Sequence, residues 1–192
     1  MRGLLLFLLL FSLSQQTQAG TETVGDWQFD VDSAKGSYTA ITYSATKDYG
    51  DSALSIIATP QQKGPCKVRL GYNLFGAYAS TLKGKTAKVR VDQEKVHQIS
   101  FDTEHSGRNR DGTKFTTAYI DIETRSGKAL IGDMADGKWL RLRLEGRKVD
   151  RFSLAGVSRA ARAVVYFCKT PNIKDRYPME MLKKRMDDDS YL

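Results

Sequence analysis

The sequence predicts a mostly β fold, an antiparallel β-sandwich or barrel-like sheet with one C-terminal α-helix packed on it. Short segments alternate apolar with polar residues, and turn-forming clusters separate these segments at regular intervals. The clearest alternation lies at 139–145, where three leucines face a core while Arg141, Arg143 and Glu145 face water. One late segment has the spacing of an amphipathic helix, which completes the predicted architecture.

The chain begins with the features of a secretory signal. Arg2 supplies a positive start, Leu4–Phe11 is an apolar run, and Thr17-Gln18-Ala19 forms a small-residue cleavage site. The apolar run is too short to span a bilayer. We therefore expect a periplasmic or secreted protein with no transmembrane segment. Its expected parts are a signal peptide at 1–19, a single β-rich domain at 20–177 and a charged C-terminal tail at 178–192.

The strands are predicted from alternation and from β-branched and aromatic residues. In chain order they cover 25–29, 38–44, 52–58, 66–72, 88–92, 96–102, 115–123 and 139–145. Residues 73–84 are predicted to form a looser, partly aromatic connection. The segments 125–128 and 135–138 contain Ser-Gly and Asp-Gly pairs, which predict turns between the last strands.

A helix is predicted within the segment Phe152–Cys168. Its apolar residues recur at steps of three, four, seven and eight, so they share one face. They are Leu154, Val157, Ala160, Ala161, Val164, Val165 and Cys168. Ser158, Arg159 and Arg162 lie off this stripe, and we expect them to point towards solvent. The stripe is expected to pack on the sheet.

The chain has two cysteines, Cys66 and Cys168. In an exported protein two cysteines favour a single disulfide. The alternative is a pair of free thiols, one of them catalytic. Neither cysteine has a histidine beside it in the sequence or belongs to a CxxC motif, so the disulfide is the favoured interpretation.

Residues that could carry chemistry are few. His97 shares a strand face with Ile99 and Phe101, which is typical of a half-buried, hydrogen-bonded histidine. Phosphate loops, nucleophile elbows and HExxH motifs are absent from the sequence. The sequence therefore predicts no catalytic residue, no bound metal and no cofactor, and the protein is not expected to be an enzyme.

The polar segment Asp102–Lys114 is the main alternative site. Asp102, Glu104 and His105 could supply metal ligands, and His105 lies beside Ser106, which suggests a base and a nucleophile. Its second half, 108–114, is the densest basic loop and could bind an anion. Adjacent residues do not easily form the hydrogen bond that such a pair requires, so a solvated hairpin with Asp111-Gly112 at its tip is the favoured interpretation.

The net charge sets limits on the partners. The chain carries a formal charge of +8, and loss of Arg2 with the signal would leave about +7. Because the basic residues are spread along the sequence, we expect weak contact with acidic surfaces and no specific binding of nucleic acid.

A family resemblance is carried by the last part of the chain. The basic, leucine-rich strand Trp139–Leu144, the segment Phe152-Ser153-Leu154-Ala155-Gly156 and a helix closing on Cys168 resemble the C-terminal pattern of the invasion-associated locus B family. A similar ending occurs in accessory proteins of type VI secretion. The early Gly25-Asp26-Trp27 also resembles the start of locus B proteins, so the motif residues are Trp27, Phe152, Leu154, Gly156 and Cys168. That family often has further cysteines in its first half, whereas this chain has Cys66 alone there.

The resemblance implies an exported, β-rich bacterial protein without known catalysis, linked in some relatives to host-cell invasion or envelope function. Its partner would be an envelope or host protein that the sequence does not identify. Gly156 suits a tight strand-to-helix junction with close backbone approach. The alternative function is that of a small secreted enzyme or enzyme inhibitor that uses the Asp102–Lys114 loop.

Overall fold

The computed structural model describes residues 22–32, 37–43, 52–61, 64–101, 103–109, 111–120, 122 and 124–169. Its helices and strands, in chain order, are β1 (Glu22–Val24), β2 (Trp27–Asp32), β3 (Ser37–Tyr43), β4 (Ser52–Thr59), β5 (Lys67–Phe75), a 3₁₀ helix (Gly76–Tyr78), β6 (Thr86–Val91), β7 (His97–Ser100), β8 (Thr103–Arg108), β9 (Lys114–Ile120), α1 (Arg125–Asp136), β10 (Trp139–Leu144), β11 (Val149–Ser153) and α2 (Val157–Lys169). The expected signal peptide and C-terminal tail lie outside the described residues.

The strands form two antiparallel sheets. The larger has seven strands in the order β1-β2-β3-β4-β5-β9-β8, and the smaller has four in the order β11-β10-β6-β7. Buried side chains of both sheets and both helices form one hydrophobic core, with Leu54 and Tyr72 from the larger sheet and Leu142 and Phe152 from the smaller. This confirms the predicted β-sandwich class with a C-terminal helix.

The alternation of apolar and polar residues explains which face of the smaller sheet is buried. Leu140, Leu142 and Leu144 of β10 are buried, while Arg143 is exposed and Arg141 half-buried. The inner face of this sheet therefore meets the core, and its outer face meets solvent, which is the usual arrangement for an antiparallel sheet.

The prediction of a single helix is wrong, because α1 occupies the segment predicted to be two turns and a connection. The Thr124 side chain accepts a hydrogen bond from the N–H of Gly127 at 3.0 Å and so caps the first turn of the helix. Leu130 and Met134, one turn apart, are buried in the core. The Ser-Gly and Asp-Gly pairs mark the two ends of this helix, where turn residues and capping residues are of the same types.

The junction at Gly156 agrees with the prediction, whereas several other boundaries differ from it. Gly156, with φ of +85°, separates strand from helix as expected, so Phe152 and Ser153 belong to β11 and α2 begins at Val157. The predicted connection at 73–84 begins later than expected, since β5 continues to Phe75 before the 3₁₀ helix.

The final helix packs as its sequence predicts. Val157, Ala160, Val164 and Cys168 are buried, and α2 lies against β3 and β4 of the larger sheet. Ala163 is buried as well, while two members of the predicted stripe, Ala161 and Val165, are half-buried. Among the described residues, no helix is long and apolar enough to cross a membrane.

Candidate functional site

The two sequence motifs of the family resemblance meet in the structure. A Cβ atom added to Gly25 would lie 2.2 Å from the carbonyl oxygen of Ala155, and one added to Gly156 would lie 2.4 Å from that of Val24. The N–H of Asp26 donates to the carbonyl of Ala155 at 3.1 Å. We call this contact the glycine seam (Gly25 and Gly156 with their neighbours Val24 and Ala155). It joins the start of the larger sheet to the start of α2.

The five residues of the family motif all take part in the packing of the fold. Trp27 and Phe152 are fully buried, and Leu154 is 2% exposed. Gly156 forms the seam, and Cys168 joins Cys66 in a disulfide whose Cα atoms are 6.1 Å apart. Because both cysteines of the chain are used, neither is the free thiol of the alternative interpretation. These residues hold α2 on the sandwich.

His97 is a hydrogen-bonded histidine, as its position on an apolar strand face predicts. It is 8% exposed, and its Nε2 lies 2.6 Å from the Oδ2 of Asp133 in α1. The contact fixes the helix that the sequence did not predict to the edge of the smaller sheet. Sequence reasoning could not supply the partner, since Asp133 lies in a segment predicted to be a connection.

The Asp102–Lys114 segment forms a hairpin of β8 and β9, except for Asp102 and Arg110, which lie outside the described residues. His105 and Ser106 are consecutive in β8, so their side chains point to opposite faces of the sheet. The carboxylate of Glu104 accepts hydrogen bonds from the N–H groups of Leu82 and Lys83 at 2.7 and 2.9 Å. The structure does not bring together the proposed base and nucleophile.

The tip of that hairpin is occupied by its own hydrogen bonds. Arg108 donates to the carbonyl of Gly112 at 2.7 Å, and the Asp111 carboxylate accepts from the N–H of Thr113 at 2.9 Å. The backbone N–H of Thr113 holds the pKa of Asp111 below its usual value. In the part of the chain described, no three His, Cys, Asp or Glu side chains are grouped to hold a metal ion.

A buried polar cluster links the two sheets. Asp150 of β11 is 5% exposed and accepts hydrogen bonds from the Ser52 hydroxyl at 2.8 Å and the Tyr72 hydroxyl at 2.5 Å. Burial, followed by the negative charge of Asp150, raises the pKa of Tyr72 far above its ordinary value. Tyr72 therefore stays protonated and donates to the carboxylate, which satisfies a charge inside the core.

This cluster predicts a dependence of stability on alkaline pH. An unfolded tyrosine ionises near 10, whereas Tyr72 keeps its proton in the folded protein, so its contribution is complete below pH 10.0 and declines as the pH rises above it. We expect Tyr72→Phe to flatten the fall in unfolding free energy between about pH 8 and pH 11, and to cost about 1–3 kcal/mol at neutral pH. Urea unfolding measures both. Tyr119→Phe, at a half-buried tyrosine outside the cluster, is the control, and an unchanged alkaline slope in Tyr72→Phe would contradict the assignment.

The outer face of the smaller sheet concentrates positive charge. We call it the basic face, and its cations are Lys88, Arg90, Arg141, Arg143 and Arg151. The strand register places like charges directly opposite one another: Arg141 faces Arg90 on one side and Arg151 on the other. Arg143 likewise faces Lys88. Side chains in such positions have Cβ atoms about 5 Å apart, so the cations repel one another.

Acidic neighbours do not neutralise the centre of this face. Among the described residues, no carboxylate lies within ion-pair distance of Lys88, Arg90 or Arg143. Asp92, beside the face, accepts hydrogen bonds from the N–H groups of Lys138 and Trp139 at 2.7 and 3.0 Å. Its carboxylate is therefore engaged with the backbone.

A groove crosses one end of the basic face. Its volume is about 730 Å³, and it is lined by β6, β7, β10 and the turn that leads into β11. Lys88, Arg143, Arg147 and Lys148 contribute positive charge to its lining, and Glu145 contributes one carboxylate. The groove is within the size range of ligand pockets. The arrangement can hold an anion along the sheet.

Sequence reasoning found only one strand of this site. Arg141 and Arg143 were expected to face water, and they do not lie in the core. The cations that oppose them come from β6, about 50 residues earlier in the chain, so pairing of distant strands creates the patch. The sequence shows alternating cations on two separated strands. It does not show the register in which these strands pair.

Comparisons of the chain with family models, curated proteins and solved structures found no match. Function is therefore inferred from the chemistry of the residues themselves. The basic face and its groove are an exposed feature whose chemistry suits a ligand, although Arg141 also donates to the backbone carbonyl of Asp92 at 2.7 Å. The glycine seam, the disulfide and the Asp150 cluster all serve the fold.

Proposed function

We propose that this chain is an exported, non-enzymatic binding protein of the bacterial envelope, acting in the periplasm or at the cell surface. Its contact surface is the basic face, and its partner is polyanionic. The observation that carries the proposal is the register of β6, β10 and β11, which sets arginine against arginine and arginine against lysine.

Electrostatics supports binding as the reason for this arrangement. Like charges directly opposite each other in a sheet destabilise it, by about 0.2–1 kcal/mol per pair. A carboxylate within ion-pair distance of Arg143 or Lys88 would relieve the repulsion, and the described part of the protein places none at that distance, although Glu145 lines the same groove. A bound polyanion would relieve it instead, and association would be accelerated by the summed positive potential.

Other features support the location. Residues 1–19 have the pattern of a secretory signal, and the single disulfide suits an oxidising compartment. The motif residues that resemble the invasion-associated locus B family support an envelope role, and participation in host-cell invasion belongs to the same proposal. The alternative function is that of a small secreted enzyme or enzyme inhibitor that uses the Asp102–Lys114 loop. In that loop, however, the side chains of Glu104 and Arg108 are engaged in hydrogen bonds with backbone groups. This favours the binding protein.

Affinity for linear inorganic polyphosphate tests the proposal. We expect the mature protein to bind this probe, with affinity that falls steeply as the salt concentration rises. Lys88→Gln combined with Arg143→Gln should weaken binding at least about tenfold, because two central contacts are lost. The control is Lys67→Gln with Lys114→Gln, which removes the same charge from exposed positions of the larger sheet.

The comparison between the two double variants decides the outcome. The control should change the affinity by less than about threefold, since its charges lie on another sheet and act only through the net charge. Equal losses in both variants would show that net charge alone attracts the probe. That result, or binding that does not respond to salt, would contradict a site on the basic face.

A further inference from the structure

We propose that the groove across one end of the basic face binds an acidic polysaccharide, a polymer of sugar units that carry carboxylate or sulfate groups. This rests on the proposed function and names the class of its ligand. The groove is lined by cations and by neutral polar side chains, so both kinds of group reach the same space. Anionic sugars offer charges and hydroxyl groups together.

The strand register places the neutral groups beside the cations. Gln98 lies directly opposite Lys88 across β6 and β7, and Arg143 lies opposite Lys88 on the other side. Thr86 is two residues before Lys88 in the same strand, on the same face and about 7 Å away. Gln98, Lys88 and Arg143 therefore form one row across three strands. The hydroxyl of Thr86 lies in the neighbouring row.

These side chains match the polar groups of a sugar. The amide of Gln98 can donate and accept hydrogen bonds, the hydroxyl of Thr86 can do both, and the carboxylate of Glu145 accepts. Hydroxyl groups of a saccharide need such mixed partners, whereas a chain of phosphates offers only acceptors. The cations Lys88 and Arg143 would take the carboxylate or sulfate groups.

An aromatic ring lies beside the groove. Arg147, which lines the groove, has its guanidinium carbon 5.2 Å from the centre of the Tyr78 ring. Tyr78 is 39% exposed, although it lies in a short 3₁₀ helix next to the sandwich. The exposed part of this ring can pack against the apolar C–H face of a sugar.

The same face is poorly suited to a membrane. Proteins that lie on membranes combine basic residues with apolar side chains that enter the lipid. On the basic face, Val149 is the large apolar side chain that is strongly exposed, at 41%. The other prominent apolar group, Trp139, is half-buried.

The face is equally poorly suited to single-stranded nucleic acid. Such proteins stack bases on open aromatic rings. Trp139 is the aromatic residue of this face, and the guanidinium carbon of Arg151 lies 3.9 Å from the centre of its ring. Trp139 on the face and Tyr78 beside the groove each carry a guanidinium against the ring, so neither ring is open for a base to stack on both sides.

The test compares two probes on the full mature protein. The first is a heparin-derived tetrasaccharide, which carries carboxylates and sulfates, and the second is linear inorganic polyphosphate of matched charge. We expect Thr86→Val combined with Gln98→Ala to weaken tetrasaccharide binding about tenfold and polyphosphate binding by less than about twofold. Thr103→Val with Gln61→Ala, at exposed positions in and beside the larger sheet, is the control and should change neither affinity.

The outcomes separate this inference from the proposed function. If polyphosphate binds and the tetrasaccharide does not, the ligand class is wrong while the polyanion site stands. If neither probe binds, both proposals fail. Equal weakening of the two probes by Thr86→Val with Gln98→Ala would show that the groove does not recognise hydroxyl groups. Tighter binding to vesicles of phosphatidylglycerol than to the tetrasaccharide would overturn the inference in favour of a lipid surface.

Discussion

Gly156→Ala is expected to lower the free energy of unfolding by about 4 kcal/mol or more. The alanine Cβ would lie 2.4 Å from the carbonyl oxygen of Val24, and the φ of +85° is unfavourable for any residue with a Cβ. The atom that it meets is backbone, which cannot turn aside as a flexible side chain can. Gly25→Ala should behave alike, because its Cβ would lie 2.2 Å from the carbonyl oxygen of Ala155.

Gly146→Ala separates the two causes. Gly146 also has a positive φ, +74°, but nothing lies within 4 Å of the position that its Cβ would occupy. We expect this variant to lose only about 1–2 kcal/mol, which is the cost of the backbone conformation alone. Urea unfolding of the three variants provides the comparison. If Gly146→Ala costs as much as Gly156→Ala, the close backbone approach at the glycine seam has no energetic importance.

Removal of the disulfide is the second change with a large expected effect. Cys66→Ala with Cys168→Ala should lower the unfolding free energy by about 4–5 kcal/mol, since a bond across 102 residues restricts the unfolded chain. The loss should also loosen the end of α2, where Cys168 lies in the last turn. Hydrogen exchange would show faster exchange in the final helical turn than in β4 or β5.

The state of the thiols gives an independent check on the disulfide. Non-reducing mass spectrometry of protein exported to the periplasm should find both cysteines oxidised and joined within one chain. Reduction of the wild type should reproduce the stability loss of the double alanine variant. Two free thiols in the exported protein, or a loss below about 1 kcal/mol in the variant, would contradict the role assigned to the Cys66–Cys168 bond.

Local patterns in the sequence predict those parts of the fold that depend on local periodicity. The leucines of β10 and the apolar stripe of α2 are buried as their spacing predicts, because a half-buried strand or helix must repeat its apolar residues. The sequence does not predict α1, because only the large side chains of Leu130 and Met134 mark its buried face. Its glycines are residues that are typical of turns. Burial against β6 and β7 outweighs its weak local signal.

The candidate site depends on long-range pairing, which the sequence could not supply. Arg141 and Arg90 are about 50 residues apart in the chain and become neighbours only through the register of β10 on β6. The same is true of Asp150 and Ser52, whose hydrogen bond spans 98 residues. In the sequence the positive charges are spread out, which predicts only weak attraction to acidic surfaces. Folding gathers five of them on one exposed face.

The most direct test of this account is the unfolding free energy of Lys88→Gln with Arg143→Gln. If these cations are kept for binding, removing their repulsion leaves the stability equal to that of the wild type or raises it by up to about 1 kcal/mol, while polyphosphate affinity falls. Urea unfolding in low-salt buffer measures the difference where repulsion is least screened. A loss of more than about 1 kcal/mol would show that the two charges serve the fold, and would contradict the account.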